Sequence, residues 1–221
     1  MTPKAERTRQ HIVDTALRLF QTRGYAETTL KDIAEEAGVA TGLAYRYFRR
    51  KEELALALYE ALSDAVAARL GELPKGSLGE RWAALLHLRY DALQPHRRTL
   101  VALVAAAMDP DGELGVLSPA TTAVRARWLV MHRQVLAGAP VPAGVDPQAL
   151  TRLLYAADLL LVLIWTQDRS PEARATRAAV DAAAGLIDRA APLLALPGAD
   201  AELGRLTAIF SQLSPEVTHD P

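Results

Sequence analysis

Thr41, Tyr45, Arg46 and Tyr47 lie within two turns of one another, in a stretch, TGLAYRYF, that contains no acid. Hydroxyls donate single hydrogen bonds and a guanidinium donates a planar fork, the groups that grip phosphate oxygens and guanine edges. Lys31 and Lys51 flank them with further positive charge, and Thr29 stands at a helix start, where free backbone amides attract an anion. The chemistry on offer is recognition of a polyanion.

The surrounding residues must hold these side chains outward. Leu30, Ile33, Ala34 and Ala37 mark one face of a short helix, and Gly38 stands where a left-handed helix end is wanted. Ala34 leaves room for the next helix, 41–48, to cross close by. This pattern predicts a helix-turn-helix whose second helix enters the DNA major groove. Thr29 caps its first helix, with Asp32 three residues on as a partial capping box. An earlier helix opens at Thr2-Pro3, carries Ile12, Val13, Ala16, Leu17 and Phe20, and ends at Gly24. A later one runs from Lys51 to about residue 70, with Leu54, Leu58, Leu62 and Val66 on one stripe.

Half of the 221 residues are hydrophobic and aromatics are few, which favours packed helices and gives an all-α fold. There is no cysteine, so disulfides and cysteine-based metal sites are excluded. The net charge of −1 hides an asymmetry. Residues 1–51 hold ten Lys/Arg against six Asp/Glu, and the remainder fifteen against twenty. A basic head on an acidic body suits a head that faces phosphate. The amino terminus has no apolar leader segment, and the longest unbroken apolar run, Leu159 to Trp165, is too short to span a bilayer. The expectation is a cytoplasmic protein with no membrane partner.

Gly71 to Gly79 breaks the helical pattern. It predicts three segments: a DNA-binding domain over 1–50, a connecting helix over 51–70, and a further helical domain over 71–221. Within the last, helices are expected near 80–93, 96–108, 119–136, 147–167, 171–196 and 201–213, before a polar tail.

The amino-terminal residues resemble the tetracycline-repressor (TetR) family of bacterial transcription regulators. The resemblance rests on Ile12, Ala16, Phe20, Gly24-Tyr25, Thr29, Ile33-Ala34, Ala37-Gly38-Val39, Gly42, Tyr45, Tyr47-Phe48, Lys51-Glu52 and Leu54, in order and without insertion. It covers about a quarter of the chain. It implies a homodimeric repressor reading a palindromic double-stranded operator, released by a small hydrophobic or amphipathic effector, with no cofactor. It further implies that Thr29, Tyr45, Tyr47 and Lys51 touch phosphates. Thr41, Gly42, Leu43 and Arg46 would face bases, with Lys31 reaching from the preceding helix. Leu43 and Tyr47 also suit core positions, and Arg46 and Lys31 also suit a solvated surface. Two residues depart from the family pattern. Ala40 replaces the usual serine cap, which passes the cap to Thr41, and Arg50 replaces a small residue, offering with Arg49 extra phosphate contacts.

The resemblance places dimerisation on the helices near 147–167 and 171–196. Each carries a broad apolar stripe, Leu150 to Trp165 and Val180 to Leu194, which equally suits the subunit's own core. Trp82, His87, Tyr90, Met108, Trp128, Met131, His132, Tyr155 and Asp158 are the polarisable or hydrogen-bonding side chains expected around an effector pocket. Asp158, an acid within LLYAADLLLVLIW, would meet a ligand amine or pair with Arg152 or Arg133. Enzyme readings fail. No two histidines stand three or four residues apart, and there is neither a phosphate-binding glycine loop nor a nucleophile elbow. The alternative from another class is a small-molecule-binding or protein-interaction helical protein that reads no operator.

Overall fold

The computed structural model describes residues 2–141, 144–196 and 198–213, the side chains of 200, 210, 211 and 213 excepted. The polar tail from 214 lies outside them. Every regular element among the described residues is helical. In chain order the α-helices are α1 (Pro3–Thr22), α2 (Leu30–Glu36), α3 (Thr41–Tyr47), α4 (Lys51–Ala67) and α5 (Leu78–Leu93). They continue as α6 (Arg97–Met108), α7 (Thr122–Ala137), α8 (Pro147–Gln167), α9 (Arg174–Ala190) and α10 (Ala199–Leu213).

Packing divides the chain into two compact units. The first is residues 1–62 with 96–121, and the second is 63–95 with 122–221. The division falls inside α4 rather than at the Gly71–Gly79 break, and it takes α6 back to the amino-terminal helices. The reason is apolar burial: Leu103 of α6 packs with Ala55 and Leu114, flanked by Tyr25, Leu56 and Tyr59. Burial pushes the Tyr59 hydroxyl up to about 12.

In the first unit α1 begins as its sequence required. The Thr2 hydroxyl accepts from the Ala5 amide at 3.4 Å, and Pro3 occupies the first helical position. Both halves of the α2 capping box form, and Gly38 closes that helix with φ +64°. Ile12, Ala16, Phe20, Ile33, Ala34, Ala44, Phe48 and Leu54 are buried in one cluster. Each large side chain there contributes about 1.5–3 kcal/mol by leaving water.

In the second unit α5 lies along α9, and α8 packs against α7, α9 and α10. Asp188 of α9 fixes the start of α5, accepting from the Gly79 amide and the Ser77 hydroxyl, each at 2.7 Å. A Cβ at Gly79 would collide with the Ala184 carbonyl, so glycine sets how closely these helices approach. Arg81 is buried and donates to the carbonyls of Val135 (2.9 Å), Gln134 (3.0 Å) and Pro74, tying the end of α7 to α5.

The single helix expected over 171–196 is divided. Short 3-10 turns at Pro171–Ala173 and Ala191–Ala195 bracket α9. Glu172 and Ala173 adopt φ values of 54° and 55°, which costs a non-glycine residue about 1 kcal/mol or more. The Asp168 carboxylate holds this corner, accepting from the Thr176 amide (2.8 Å) and hydroxyl (2.7 Å) and from the Ser170 amide (2.8 Å). Pro192 lacks the amide needed to extend α9 regularly.

Among the described residues α8 alone is long and apolar enough to cross a membrane by length and composition. Its unbroken apolar run is short, because Thr151 and Asp158 interrupt the apolar sequence. Both are buried inside the second unit, so here α8 is a core helix.

Candidate nucleic-acid interface and buried polar cluster

Helix α3 sorts its side chains by turn. Ala44 and Phe48 are buried, whereas Thr41, Gly42, Tyr45 and Arg46 are exposed, Tyr45 by 50%. Leu43 and Tyr47 are half-buried, and Tyr47 packs against the first unit's core. Phe48 is therefore a core aromatic, and Tyr47 serves the core with one part of its ring. The Arg46 guanidinium lies 5.7 Å from the Tyr47 ring centroid, which holds it along the outer face of the helix. Lys31 on α2 is exposed. The outward residues thus comprise one guanidinium, one phenol, one hydroxyl and the bare main chain at Gly42, with the Lys31 ammonium on α2.

The N-cap of α3 is Ala40, in extended conformation and with no side-chain hydrogen bond. The cap does not pass to Thr41, which is already inside the helix. An extended residue precedes the first turn, and only its Cβ substituent is missing. Thr29 is also less available than its position suggests. Its hydroxyl donates to Asp32 Oδ2 at 2.6 Å and accepts from the Asp32 amide at 3.2 Å. Hydrogen bonds from the Thr29 hydroxyl and amide hold the Asp32 carboxyl below the usual range, so a carboxylate already occupies the start of α2.

A surface groove runs between the start of α2, the end of α3 and the start of α4, lined by Thr29, Tyr45, Arg49, Arg50 and Lys51 among others. Three cations line it, yet two are engaged. Lys51 Nζ donates to the carbonyls of Tyr25 (2.8 Å) and Ala26 (3.2 Å) and stands 4.4 Å from the centre of the Tyr25 ring. Lys51 therefore clamps the loop after α1, and a phosphate would compete with that role. Arg50 pairs with Glu113. Glu53, not residue 50, meets an orphan donor at the start of α4 by accepting from the Arg49 amide at 3.1 Å.

Most of the expected pocket residues converge in the second unit. Tyr90 of α5, Trp128, Met131 and His132 of α7, and Tyr155 and Asp158 of α8 are all buried, as is Trp82 farther along α5. Two residues do not join them. Met108 belongs to the first unit and is exposed, because α6 packs there through Leu103, which meets Ala55 and Leu114. His87 is half-buried and its Nε2 lies 2.8 Å from Asp181 at the surface.

Asp158 pairs with Arg89, not with Arg152 or Arg133. Both groups are buried, and the Arg89 guanidinium also lies 3.9 Å from the Trp128 ring centroid. A buried arginine in α5 escaped sequence reading. The available signal was its spacing, seven residues after Trp82 and beside Tyr90, on the buried side of an amphipathic helix. His132 Nδ1 is 2.8 Å from the Trp128 carbonyl, which can only accept, so that nitrogen carries the proton. Burial pushes the His132 pKa down, against an opposing pull from Asp158, leaving a neutral ring with Nε2 bare. That Nε2 stands 3.7 Å from Asp158 Oδ2. Burial likewise pushes the Tyr155 hydroxyl up to about 12. Arg89 Nε, Tyr90 Oη, His132 Nε2 and Asp158 Oδ1 have no hydrogen-bond partner among the described residues. One such orphan typically costs about 1–3 kcal/mol.

Comparison with known proteins bears on the first unit most directly. Residues 12–58 match the family model of bacterial regulatory proteins, tetR family. The chain is 33% identical over 123 residues to the HTH-type transcriptional regulator AcrR of Shigella flexneri, covering 53% of this chain and 57% of that protein. It is 48% identical over 61 residues to the HTH-type transcriptional regulator TtgR of Pseudomonas putida, covering 28% and 29%. The matched stretches thus span little more than half, and under a third, of those relatives' lengths. A solved tetR-family transcriptional regulator from Streptomyces coelicolor aligns over 98% of this chain and 100% of its own, at 25% identity and a TM-score of 0.58. Residues 12–58, with the helix-turn-helix and its outward face, thus carry the match to the tetR family of bacterial regulatory proteins, and the chain shares the fold of that solved tetR-family regulator.

Proposed function

We propose that the protein is a ligand-responsive transcription regulator, most simply a repressor, that binds a palindromic operator as a homodimer. The carrying observation is α3: a short helix anchored by Ala44 and Phe48 that turns Thr41, Gly42, Tyr45 and Arg46 to solvent. Arg46 reads a base edge through its two-bond fork. Tyr45 and the main chain at Gly42 position the helix on the backbone, with Lys31 and Arg49 adding phosphate contacts. Lys51, bound to two carbonyls, shapes the groove first and meets phosphate second. The effector is small and hydrophobic or amphipathic and occupies the second unit. Helix α4, uninterrupted across the division, is the covalent route by which occupancy shifts the population of DNA-competent dimers.

Dimerisation is supported by apolar side chains left in the open. Leu160 and Ile164 of α8 are 60% and 44% exposed, and Leu186 of α9 is 63% exposed. A second copy covers them. Binding to DNA fragments from the gene's own upstream region, followed by anisotropy at several salt concentrations, tests the whole reading. Wild-type affinity should fall steeply with salt. Arg46→Ala should lose about 1–3 kcal/mol at one operator position only, and Ile164→Glu should sediment as a monomer and lose the operator. Salt-independent binding, or a wild-type monomer, would refute the proposal and leave a ligand-binding protein that reads no DNA.

A further inference from the structure

Three helices each place two side chains in one buried cluster of the second unit: Arg89 and Tyr90 from α5, Trp128 and His132 from α7, Tyr155 and Asp158 from α8. The ring of His132 meets that of Tyr155 edge-on, 5.7 Å between centroids, and Tyr90 stacks on Trp165 at 6.1 Å. These ring contacts make the surroundings of the buried polar groups aromatic, which favours an aromatic ligand. Four polar atoms on four of these side chains are without a partner among the described residues. Buried polar atoms are ordinarily satisfied, so a group of four in one place points to something that satisfies them.

The inventory defines what that is. Asp158 Oδ1 accepts only. His132 Nε2 accepts, because Nδ1 carries the proton toward the Trp128 carbonyl. Arg89 Nε donates only, and the Tyr90 hydroxyl does either. The ligand must therefore bring a donor to Asp158 and His132 and an acceptor to Arg89. Charge gives the second constraint. Arg89 and Asp158 already neutralise each other, and His132 is neutral. A formal charge on the ligand would stand uncompensated in a site closed to water, an unfavourable state.

We infer that the second unit binds an uncharged aromatic molecule bearing an adjacent donor and acceptor, as in a carboxamide, with Asp158 and His132 accepting from it and Arg89 donating to it. This rests on the reading of the second unit as the effector-binding one and names the chemistry of the effector's polar end. The Tyr90 hydroxyl joins the contact and discriminates it from a structural role. It has no hydrogen-bond partner among the described residues, so its removal should leave the fold untouched while removing a bond to the ligand.

Three probes of one skeleton and different charge test this on the full chain: benzamide, benzoate and benzamidinium, titrated calorimetrically and by quenching of tryptophan fluorescence. Benzamide is expected to saturate the protein, with both charged probes at least tenfold weaker. Tyr90→Phe should keep the wild-type melting temperature and bind benzamide roughly five- to tenfold more weakly, the loss of about one hydrogen bond. A charged probe binding as well as benzamide, no binding of benzamide, or full affinity in Tyr90→Phe would each overturn the inference. Operator binding measured on the same preparation separates the two ideas. Operator binding without benzamide binding refutes this chemistry and leaves the regulator; benzamide binding without operator binding does the reverse.

Discussion

The two units are inverted with respect to each other in what they hide. The first buries an apolar core without a buried ion pair in its cluster, and turns tyrosine, arginine and threonine to solvent along α3. The second buries arginine, aspartate and histidine and leaves Leu160, Ile164 and Leu186 exposed. Burial of a charge is unfavourable unless it is paired, and exposure of large apolar side chains is unfavourable unless something covers them. The first unit keeps its charged groups at the surface, although Val101 and Met108 of α6 are exposed there as well. The second carries buried polar atoms without a hydrogen-bond partner among the described residues, and several large apolar side chains at its surface. The match to the tetR-family model lies wholly within the first unit, at residues 12–58.

The largest expected effect comes from breaking the buried pair. Arg89→Met leaves Asp158 charged and alone, and should cost about 3–5 kcal/mol in urea unfolding. Replacing both partners, Arg89→Met with Asp158→Leu, should recover most of that loss, because neither charge then needs a partner. If the single substitution costs under about 1 kcal/mol, water reaches Asp158 and the contrast between the units fails. No single ion pair on the surface of the first unit, such as Arg18 with Glu36 at 2.7 Å, should matter by more than about 1 kcal/mol.

Acid provides a second, smaller test. Burial holds the folded His132 pKa below the ordinary value of 6.5, with Asp158 opposing and Arg89 reinforcing. A folded pKa below the unfolded one means that the unfolded chain binds the proton first. The contribution is fully present above pH 6.5 and is lost as pH falls from 6.5 toward the folded value. The slope is at most about 1.4 kcal/mol per pH unit for one proton. Urea midpoints between pH 7 and pH 5 measure it. His132→Asn, whose amide can still donate to the Trp128 carbonyl, should flatten that part of the profile. A profile unchanged by the substitution would show that His132 protonates freely and that the cluster is wet.

Legibility in the sequence followed the range of the forces involved. Thr2-Pro3, the Thr29–Asp32 box, Gly38 and the Pro147 start of α8 are local signals, and each produced the element expected of it. The Leu54, Leu58, Leu62 and Val66 stripe is likewise buried. What escaped was long-range. The return of α6 to the first unit depends on Leu103 meeting Ala55 across intervening sequence, which helical periodicity cannot encode. The partner of Asp158 lies 69 residues away on α5, so nearby Arg152 and Arg133 were the natural but mistaken candidates. Lys51 was expected to face phosphate, and only the fold shows the Tyr25 and Ala26 carbonyls that it holds.

The mildest prediction returns to the surface of the first unit, where one residue departs from an otherwise well-capped set of helices. Ala40 has the extended backbone of an N-cap, φ −60° and ψ 136°, and no side-chain oxygen to use it. Ala40→Ser should supply a hydroxyl to the amide of residue 42 or 43 and stabilise the first unit by about 0.5–1 kcal/mol. Because that hydroxyl also lies at the outer end of α3, operator affinity should rise slightly and equally for all sequences. Thr41→Ala distinguishes the two possible capping positions. With the cap at residue 40, losing the Thr41 hydroxyl should change stability by no more than about 0.5 kcal/mol, as for an ordinary exposed site. Thermal melts of both variants decide the matter, since a cap carried by Thr41 would reverse their order. A reversed order would also move the start of α3 by one residue and, with it, the positions of Tyr45 and Arg46 on the outer face.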